Sequence, residues 1–315
     1  MSDAPVLITA FNRPELTKNL IASLRPSQPK RIIFAVDGPR SGKDLDAKRV
    51  RETQDLVAEF NWNCELETIF RPTNLGLRFA VADAVSHATS KFGKVIVVED
   101  DIEVGPNFLN YMQYSLNQYE SEGSIAHING YVVVPREKLQ FPEADRKTRY
   151  IESFAWATWE RAWEFYDPNL TWAKDVSIRD LSRALGSTLA ALRWKQVFGD
   201  ASRELINTWA YRWLATIWSK GWCAVTPPSN LVRYVGWTGG THTKRRARWI
   251  EQQVTESVET FGARPDFTIP TFDEKVDNWV GLSVFRESIP GICEGLLASF
   301  VLRVLKFSRP MISES

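Results

Sequence analysis

Three consecutive acidic residues, Glu99, Asp100 and Asp101, directly follow Lys94 to Val98 (KVIVV), the most strand-like segment of the chain. Carboxylate oxygens are the ligands that hard divalent cations such as Mg²⁺ and Mn²⁺ prefer. In an extended chain the side chains of Glu99 and Asp101 point one way and that of Asp100 the other, so one or two of them can reach a common ligand. A solvated acidic turn would have the same composition. The strand end favours a metal site.

A second group of residues that could bind a metal or a phosphate lies in the glycine-rich segment 236–244 (GWTGGTHTK). Its glycines make the segment pliable, His242 can bind a metal or donate to a phosphate, and Lys244 can meet a diphosphate. Together they predict a lid over a phosphorylated ligand. The alternatives are a surface histidine, and a basic run that is solvated or touches anionic lipid.

The elements that must position these residues alternate between strands and helices. Short apolar runs at residues 5–11, 31–36, 65–70 and 94–98 predict buried strands, and helical spacing lies between them at 15–24, 48–60 and 77–88. This alternation predicts an α/β fold with a mostly parallel sheet. Polar clusters follow each strand, namely Asn12-Arg13, Asp37-Gly38, Arg71 to Gly76 and Glu99 to Asp101. We expect them to meet at the carboxyl edge of the sheet, where such folds bind ligands.

The segment Val97 to Phe108 (VVEDDIEVGPNF) resembles the V-E-D-D-x-x-x-x-P-x-F motif of GT-A fold glycosyltransferases. The nearest likeness is to N-acetylglucosaminyltransferase I and its bacterial relatives, over roughly residues 5 to 245. The resemblance implies a GT-A type sheet flanked by helices, with an aromatic-rich acceptor half. It also implies transfer of a hexose or N-acetylhexosamine from a UDP-sugar to a glycan or lipid-linked acceptor, with inversion and with Mn²⁺ or Mg²⁺.

The same resemblance suggests roles for individual residues. Asp101 corresponds to the carboxylate that holds the metal, and we add His242 as a candidate second ligand. Asp37 corresponds to the aspartate that contacts the uracil. The full set expected at the nucleotide-sugar is Asn12, Arg13, Asp37, Asn74, Arg78, Glu99, Asp100 and Lys244.

The second half of the chain is rich in tryptophan, and the sequence holds thirteen in all. Flat indole faces can stack on sugars, so we expect Trp156, Trp209 and Trp213 to bind the acceptor. A Trp-rich core is the equal alternative.

Relatives carry an acidic residue, suited to be the general base, where this chain has Ala210. We predict Glu204 as the base instead, because it would share a helical face with Thr208 and Tyr211 if the helix begins before it. Asp200, Glu152 and Glu160 are the alternatives.

Composition limits the remaining choices. A net charge of +1 gives no bulk attraction to nucleic acid, and three scattered cysteines form no zinc or disulfide pattern, which fits a reducing cytoplasm. We expect no signal peptide and no spanning helix. Segment 292–307 is apolar with a cationic end, so it predicts either a buried final helix or an interfacial one at the cytoplasmic membrane face.

We expect three segments: a nucleotide-sugar-binding part (1–150), an acceptor part with the lid (151–250) and a C-terminal extension (251–315). Two other functions fit a similar sheet. A nucleotidyltransferase or sugar pyrophosphorylase would usually need a glycine-rich loop after the first strand, and Phe11 to Pro14 has no glycine. A non-catalytic sugar-binding protein would explain Ala210.

Overall fold

The computed structural model describes residues 3–139, 144–236 and 270–307. The chain forms two compact units, one of residues 1–165 and 222–277, the other of residues 166–221 and 278–315. These divisions differ from the three functional segments expected above, which stay predictions.

The described part of the first unit contains ten strands. They are β1 (Val6–Ala10), β2 (Arg31–Val36), β3 (Glu65–Phe70), β4 (Lys94–Glu99), β5 (Ile102–Val104), β6 (Ile125–Asn129), β7 (Arg146–Thr148), β8 (Trp156–Trp159), β9 (Cys223–Thr226) and β10 (Val232–Tyr234). Eight form one sheet in the order β3-β2-β1-β4-β8-β6-β9-β7, and β5 pairs with β10. Only β8 and β7 run against the other six strands of the large sheet, so the sheet is mostly parallel as predicted.

The helices that cover this sheet are α1 (Pro14–Leu24), α2 (Asp44–Gln54), α3 (Leu77–Phe92), α4 (Phe108–Gln118) and α5 (Glu160–Trp163). Strands β1, β2 and β4 are buried almost throughout. Their nearly continuous apolar sequences are typical of strands that are covered on both faces of a parallel sheet. Pro14 begins α1, where its missing amide costs nothing, and Gly93 ends α3 with a φ of 75°. The predicted GT-A type α/β architecture is confirmed.

The second unit is helical. It contains α6 (Thr171–Asp175), α7 (Ile178–Leu185), α8 (Thr188–Ser202), α9 (Ala210–Ser219) and α11 (Ile289–Phe307), and α10 (Glu274–Ser283) spans its boundary with the first unit. Trp194 lies at its centre, with the rings of Phe198, Tyr211 and Trp218 within 5.7 Å of its own. Its indole N–H donates to Glu287 at 2.6 Å. Much of the aromatic content of the second half therefore forms a core.

Candidate functional site

The carboxyl edge of the sheet brings the predicted polar residues of the first unit together. Strands β1, β2, β4 and β6 all end there, and antiparallel β8 begins there. Its first residue, Trp156, lies opposite both Val97 of β4 and Asn129 of β6. The loops after these strands therefore surround one region, as the sequence predicted.

Arg13 binds the acidic residues at the end of β4. Its Nη1 donates to Asp101 Oδ2 at 2.8 Å and to Asp100 Oδ1 at 3.3 Å. The amide of Phe11 donates to the other oxygen of Asp100 at 3.4 Å. The loop after β1 and the turn after β4 are thus joined by one guanidinium and two carboxylates.

This cluster is electrostatically unbalanced. Burial and repulsion from Asp101 raise the pKa of Asp100 to about 7, against the opposing charge of Arg13. Burial also raises the pKa of Asp101, again opposed by Arg13. Burial lowers the pKa of Arg13, but the two carboxylates more than offset it and the net shift is upward. One arginine therefore does not fully compensate two buried acids, and additional positive charge would be favourable here.

The residues of this cluster fit part of a metal site. Asp101 Oδ1 is buried without a hydrogen-bond partner, so one carboxylate oxygen has an unused lone pair. In the described part of the chain, no group of three or more His, Cys, Asp or Glu side chains could hold a metal ion. Asp100 and Asp101 can thus supply two acidic ligands, and a complete coordination shell needs oxygens from elsewhere. His242 and Lys244 lie outside the described residues.

Tyr234 and Gly236 close the other side of Asp101, a feature that the sequence did not reveal. The amide of Val235 donates to the carbonyl of Asp101 at 2.9 Å, and β10 pairs with β5 immediately after the acidic triplet. A Cβ at Gly236 would lie 2.6 Å from both Asp101 Oδ2 and the Tyr234 hydroxyl. Only the absence of a side chain lets this segment approach the carboxylate. The segment that begins the predicted lid therefore touches the predicted metal ligand.

Asp37 organises the loop that precedes α3. Its Oδ1 accepts from the amides of Gly38 and Leu75, and its Oδ2 accepts from the amide of Gly76 and the side chain of Asn74, all at 2.9 Å. Asn74 also donates to the carbonyl of Gly38 at 2.9 Å. Four donors on one carboxylate pin this loop against the end of β2. Asp37 therefore contributes to the predicted nucleotide region mainly by holding this loop in place.

The other residues expected at the nucleotide lie along the same edge. Asn12 donates to Asp46 at 2.8 Å. Arg78 is buried in the first turn of α3, with its guanidinium 4.5 Å from the ring centre of Phe79. Glu99 is the partly exposed last residue of β4, paired in register with Thr9 of β1.

The three tryptophans expected at an acceptor do not present a face to one. Trp156, Trp209 and Trp213 are 0%, 1% and 0% exposed. Trp156 stacks on His127 with the ring centres 5.0 Å apart. The core alternative therefore describes these residues, because tight packing on both faces leaves no surface for a sugar.

The prediction that Glu204 lies on the same helix as Thr208 and Tyr211 is wrong. Helix α8 ends at Ser202 and α9 begins only at Ala210, so Glu204 lies in the turn between them with a φ of 58°. It shares no helical face with Thr208 and Tyr211. The alternative Asp200 is buried and bound to Arg203 at 2.8 Å and to the hydroxyl of Ser299, which fits a structural role.

The sequence matches none of the curated proteins. Among solved structures, the chain is similar to HddC from Yersinia pseudotuberculosis (14% identity, 52% of this chain and 80% of that chain, TM-score 0.33). It is also similar to the inositol-1-phosphate CTP transferase from T. maritima (11%, 72% and 85%, TM-score 0.35) and to mouse xyloside xylosyltransferase 1 (12%, 67% and 80%, TM-score 0.28). Likeness this low says nothing about what the present chain binds.

The family comparison is more informative, because it rests on sequence and covers the strands and loops that build the site. The model of glycosyl transferase family 2 matches residues 6–178, which is more than half of the chain and includes Arg13, Asp37, Asn74 and the acidic triplet. This chain belongs to glycosyl transferase family 2.

Proposed function

We propose that this protein transfers a hexose or N-acetylhexosamine from a nucleoside-diphosphate donor, a UDP-sugar by the sequence resemblance, to a glycan or lipid-linked acceptor. The observation that carries this proposal is the pair Asp100 and Asp101, buried at the carboxyl edge of a mostly parallel sheet with one oxygen of Asp101 unused. Membership of the family supports the transfer itself. The donor, the acceptor and their use in polysaccharide synthesis are proposals.

Asp101, with help from Asp100, would hold Mn²⁺ or Mg²⁺. When bound, the ion would supply positive charge that stabilises the leaving diphosphate. The loop ordered by Asp37 and Asn74 would border the nucleoside, since it lies at the end of β2 on the same edge. Arg13 keeps the two carboxylates together, and its positive charge lies where a diphosphate would approach.

The test is turnover of nucleotide sugars by the full chain. UDP-, GDP- and dTDP-sugars are incubated with Mn²⁺, and release of nucleoside diphosphate is followed with water or added glycans as acceptor. We expect release from a subset of donors, and a loss of ~10²-fold or more in Asp101→Asn, which keeps the shape and removes the charge. Asp175→Asn is the matched control, because Asp175 is an exposed residue at the end of α6. Equal turnover by both variants would exclude Asp101 as the metal ligand.

A non-catalytic sugar-binding protein is the second candidate, and Ala210 is the observation that favours it. Position 210 is the first residue of α9, where the resemblance expects an acidic side chain. Binding of a nucleotide sugar in calorimetry without release from any donor would support this candidate. Consumption of nucleoside triphosphates would instead indicate a nucleotidyltransferase.

The last helix suggests contact with a membrane surface. Within the described residues no helix is long and apolar enough to cross a membrane. In α11, however, Leu296, Leu297, Phe300 and Val301 are all between 45% and 65% exposed, and Arg303 follows them. Apolar side chains beside a cation fit the interface of an anionic bilayer. We propose that α11 brings the protein to the cytoplasmic membrane face, where a lipid-linked acceptor would lie.

A further inference from the structure

We propose that Glu152, in the segment leading into β8, is the general base that takes the proton from the acceptor hydroxyl. This inference rests on the proposed function and deepens it, since it assigns to the first unit a role expected in the second. The helix that the resemblance identifies starts with Ala210, which cannot accept a proton. The base must come from another part of the chain if transfer with inversion occurs.

Glu152 lies near the acidic end of β4. Strand β8 runs antiparallel to β4 and β6, so the residues before Trp156 lie at the edge where β4 reaches its acidic triplet. The amide of Glu152 donates to the side chain of Asn129, the last residue of β6, at 2.7 Å. Strand β8 lies between the end of β4 and Asn129, the residue that Glu152 contacts. Glu152 and Asp101 therefore lie at the same edge of the sheet, and we place the sugar between them.

Hydrogen bonds hold the backbone of Glu152 in place, whereas its carboxylate is not engaged. Besides the Asn129 contact, the carbonyl of Glu152 lies 3.2 Å from Nε2 of His127. Burial lowers the pKa of His127 to about 3, so its ring is neutral and can donate to this carbonyl. Throughout the described part of the chain, no residue donates a hydrogen bond to the Glu152 carboxylate or pairs with it. By contrast, the buried carboxylate of Asp277 is engaged, because it accepts a hydrogen bond from the Thr148 hydroxyl at 2.6 Å.

Aromatic rings line the space between Phe154, two residues after Glu152, and the acidic cluster. Tyr131, Phe154 and Tyr234 form a chain of rings with centres 5.1 Å and 5.0 Å apart, and Tyr234 is the residue that packs beside Asp101 and Gly236. This wall connects the surroundings of Glu152 to the acidic cluster within one unit. Glu152 keeps part of its surface exposed, yet protein atoms surround it closely enough that burial raises the pKa of its carboxyl to about 8. The charge of Glu152 contributes to raising the pKa of Tyr131.

The step is balanced without another reactant. The acceptor oxygen forms a bond to the anomeric carbon as the bond from that carbon to the diphosphate breaks. The electron pair of the broken bond leaves with the nucleoside diphosphate. The proton of the acceptor hydroxyl, or of water when the donor is hydrolysed, passes to the Glu152 carboxylate and later to solvent.

The experiment compares the full-length protein with Glu152→Gln and Glu152→Asp, using the donors that the unmodified protein turns over. The matched control is Glu164→Gln, an exposed carboxylate directly after α5. We expect Glu152→Gln to lose ~10²-fold or more in kcat, with unchanged affinity for UDP and Mn²⁺ by calorimetry. Glu152→Asp should recover part of the loss, and Glu164→Gln should match the unmodified protein.

The pH profile separates a base from a structural residue. For the unmodified protein kcat should rise with pH to a plateau set by an ionising group, and Glu152→Gln should lose that ionisation. Active unmodified protein with an equally active Glu152→Gln variant would overturn this inference and leave the proposed function intact. If the unmodified protein released no nucleoside diphosphate from any donor, both the proposed function and the role of Glu152 would be overturned, because a general base acts only in a reaction.

Discussion

The stability of the protein should depend on pH through Glu152, independently of any catalysis. The pKa of this carboxyl rises from an ordinary 4.5 to about 8 because of burial. Between these values the folded protein keeps a proton at Glu152 that the unfolded chain has released. The free energy of unfolding therefore falls as the pH rises through this window.

The magnitude follows from the linkage. One bound proton changes the free energy of unfolding by about 1.4 kcal/mol per pH unit, so the range from about pH 6 to about pH 8 gives at most ~2.7 kcal/mol. Since the side chain keeps some contact with water, we expect about 1–2 kcal/mol. In Glu152→Gln the group cannot ionise, so the variant should gain stability relative to the unmodified protein by this amount over that range.

The assay is urea unfolding of both proteins at about pH 6 and about pH 8, followed by tryptophan fluorescence. Asp100, whose pKa is also raised to about 7, ionises in both proteins and cancels in the comparison. A stability difference between the proteins that is the same at both pH values would refute the argument, because it would mean that Glu152 ionises in the folded protein as it does in water.

Two further predictions use matched pairs of variants. Gly38→Ala should cost about 1–3 kcal/mol of stability and weaken UDP binding in calorimetry, because a Cβ there would lie 2.4 Å from the backbone of Thr73; Gly123→Ala, which meets no atom within 4 Å, should change neither. Leu297→Glu in α11 should reduce flotation with phosphatidylserine vesicles several-fold, whereas Leu45→Glu should not, although the two leucines are 65% and 67% exposed. Equal flotation of the two leucine variants would remove α11 from the membrane contact.

The sequence predicted the sheet well because its signals are local. After Arg31, the run Ile32 to Val36 is apolar, contains β-branched residues and ends at Asp37-Gly38, so both its type and its limits could be read directly. Pairing partners distant in the chain were not readable. Strand β10 pairs with β5 across about 130 residues, and it brings Tyr234 and Gly236 to Asp101 without any local pattern.

The candidate site was predicted in outline and missed in detail. Asp37 and Asn74 do lie at one edge, but the loop amides that Asp37 accepts from could only be found in three dimensions. The prediction that tryptophans bind the acceptor was wrong for another reason. An indole that stacks on a sugar and an indole that fills a core look the same in the sequence. Glu204 was misplaced because the turn before α9 carries neither proline nor glycine, and its residues look helical.

The acidic residues at the carboxyl edge differ electrostatically from an ordinary buried acid of this fold. Asp46, close by, shows the ordinary solution for an acid in a fold: hydrogen bonding to Arg40 and Asn12 outweighs burial and lowers its pKa. At Asp100, Asp101 and Glu152 the balance is reversed, and burial raises the pKa of each. A fold pays stability for such groups, and clusters of them are typical of functional sites. A bound cation would offset the buried negative charge of the two aspartates. A bound proton would neutralise the carboxylate of Glu152. In the proposed reaction, a donor that binds with a metal ion would supply the cation, and the acceptor hydroxyl would supply the proton.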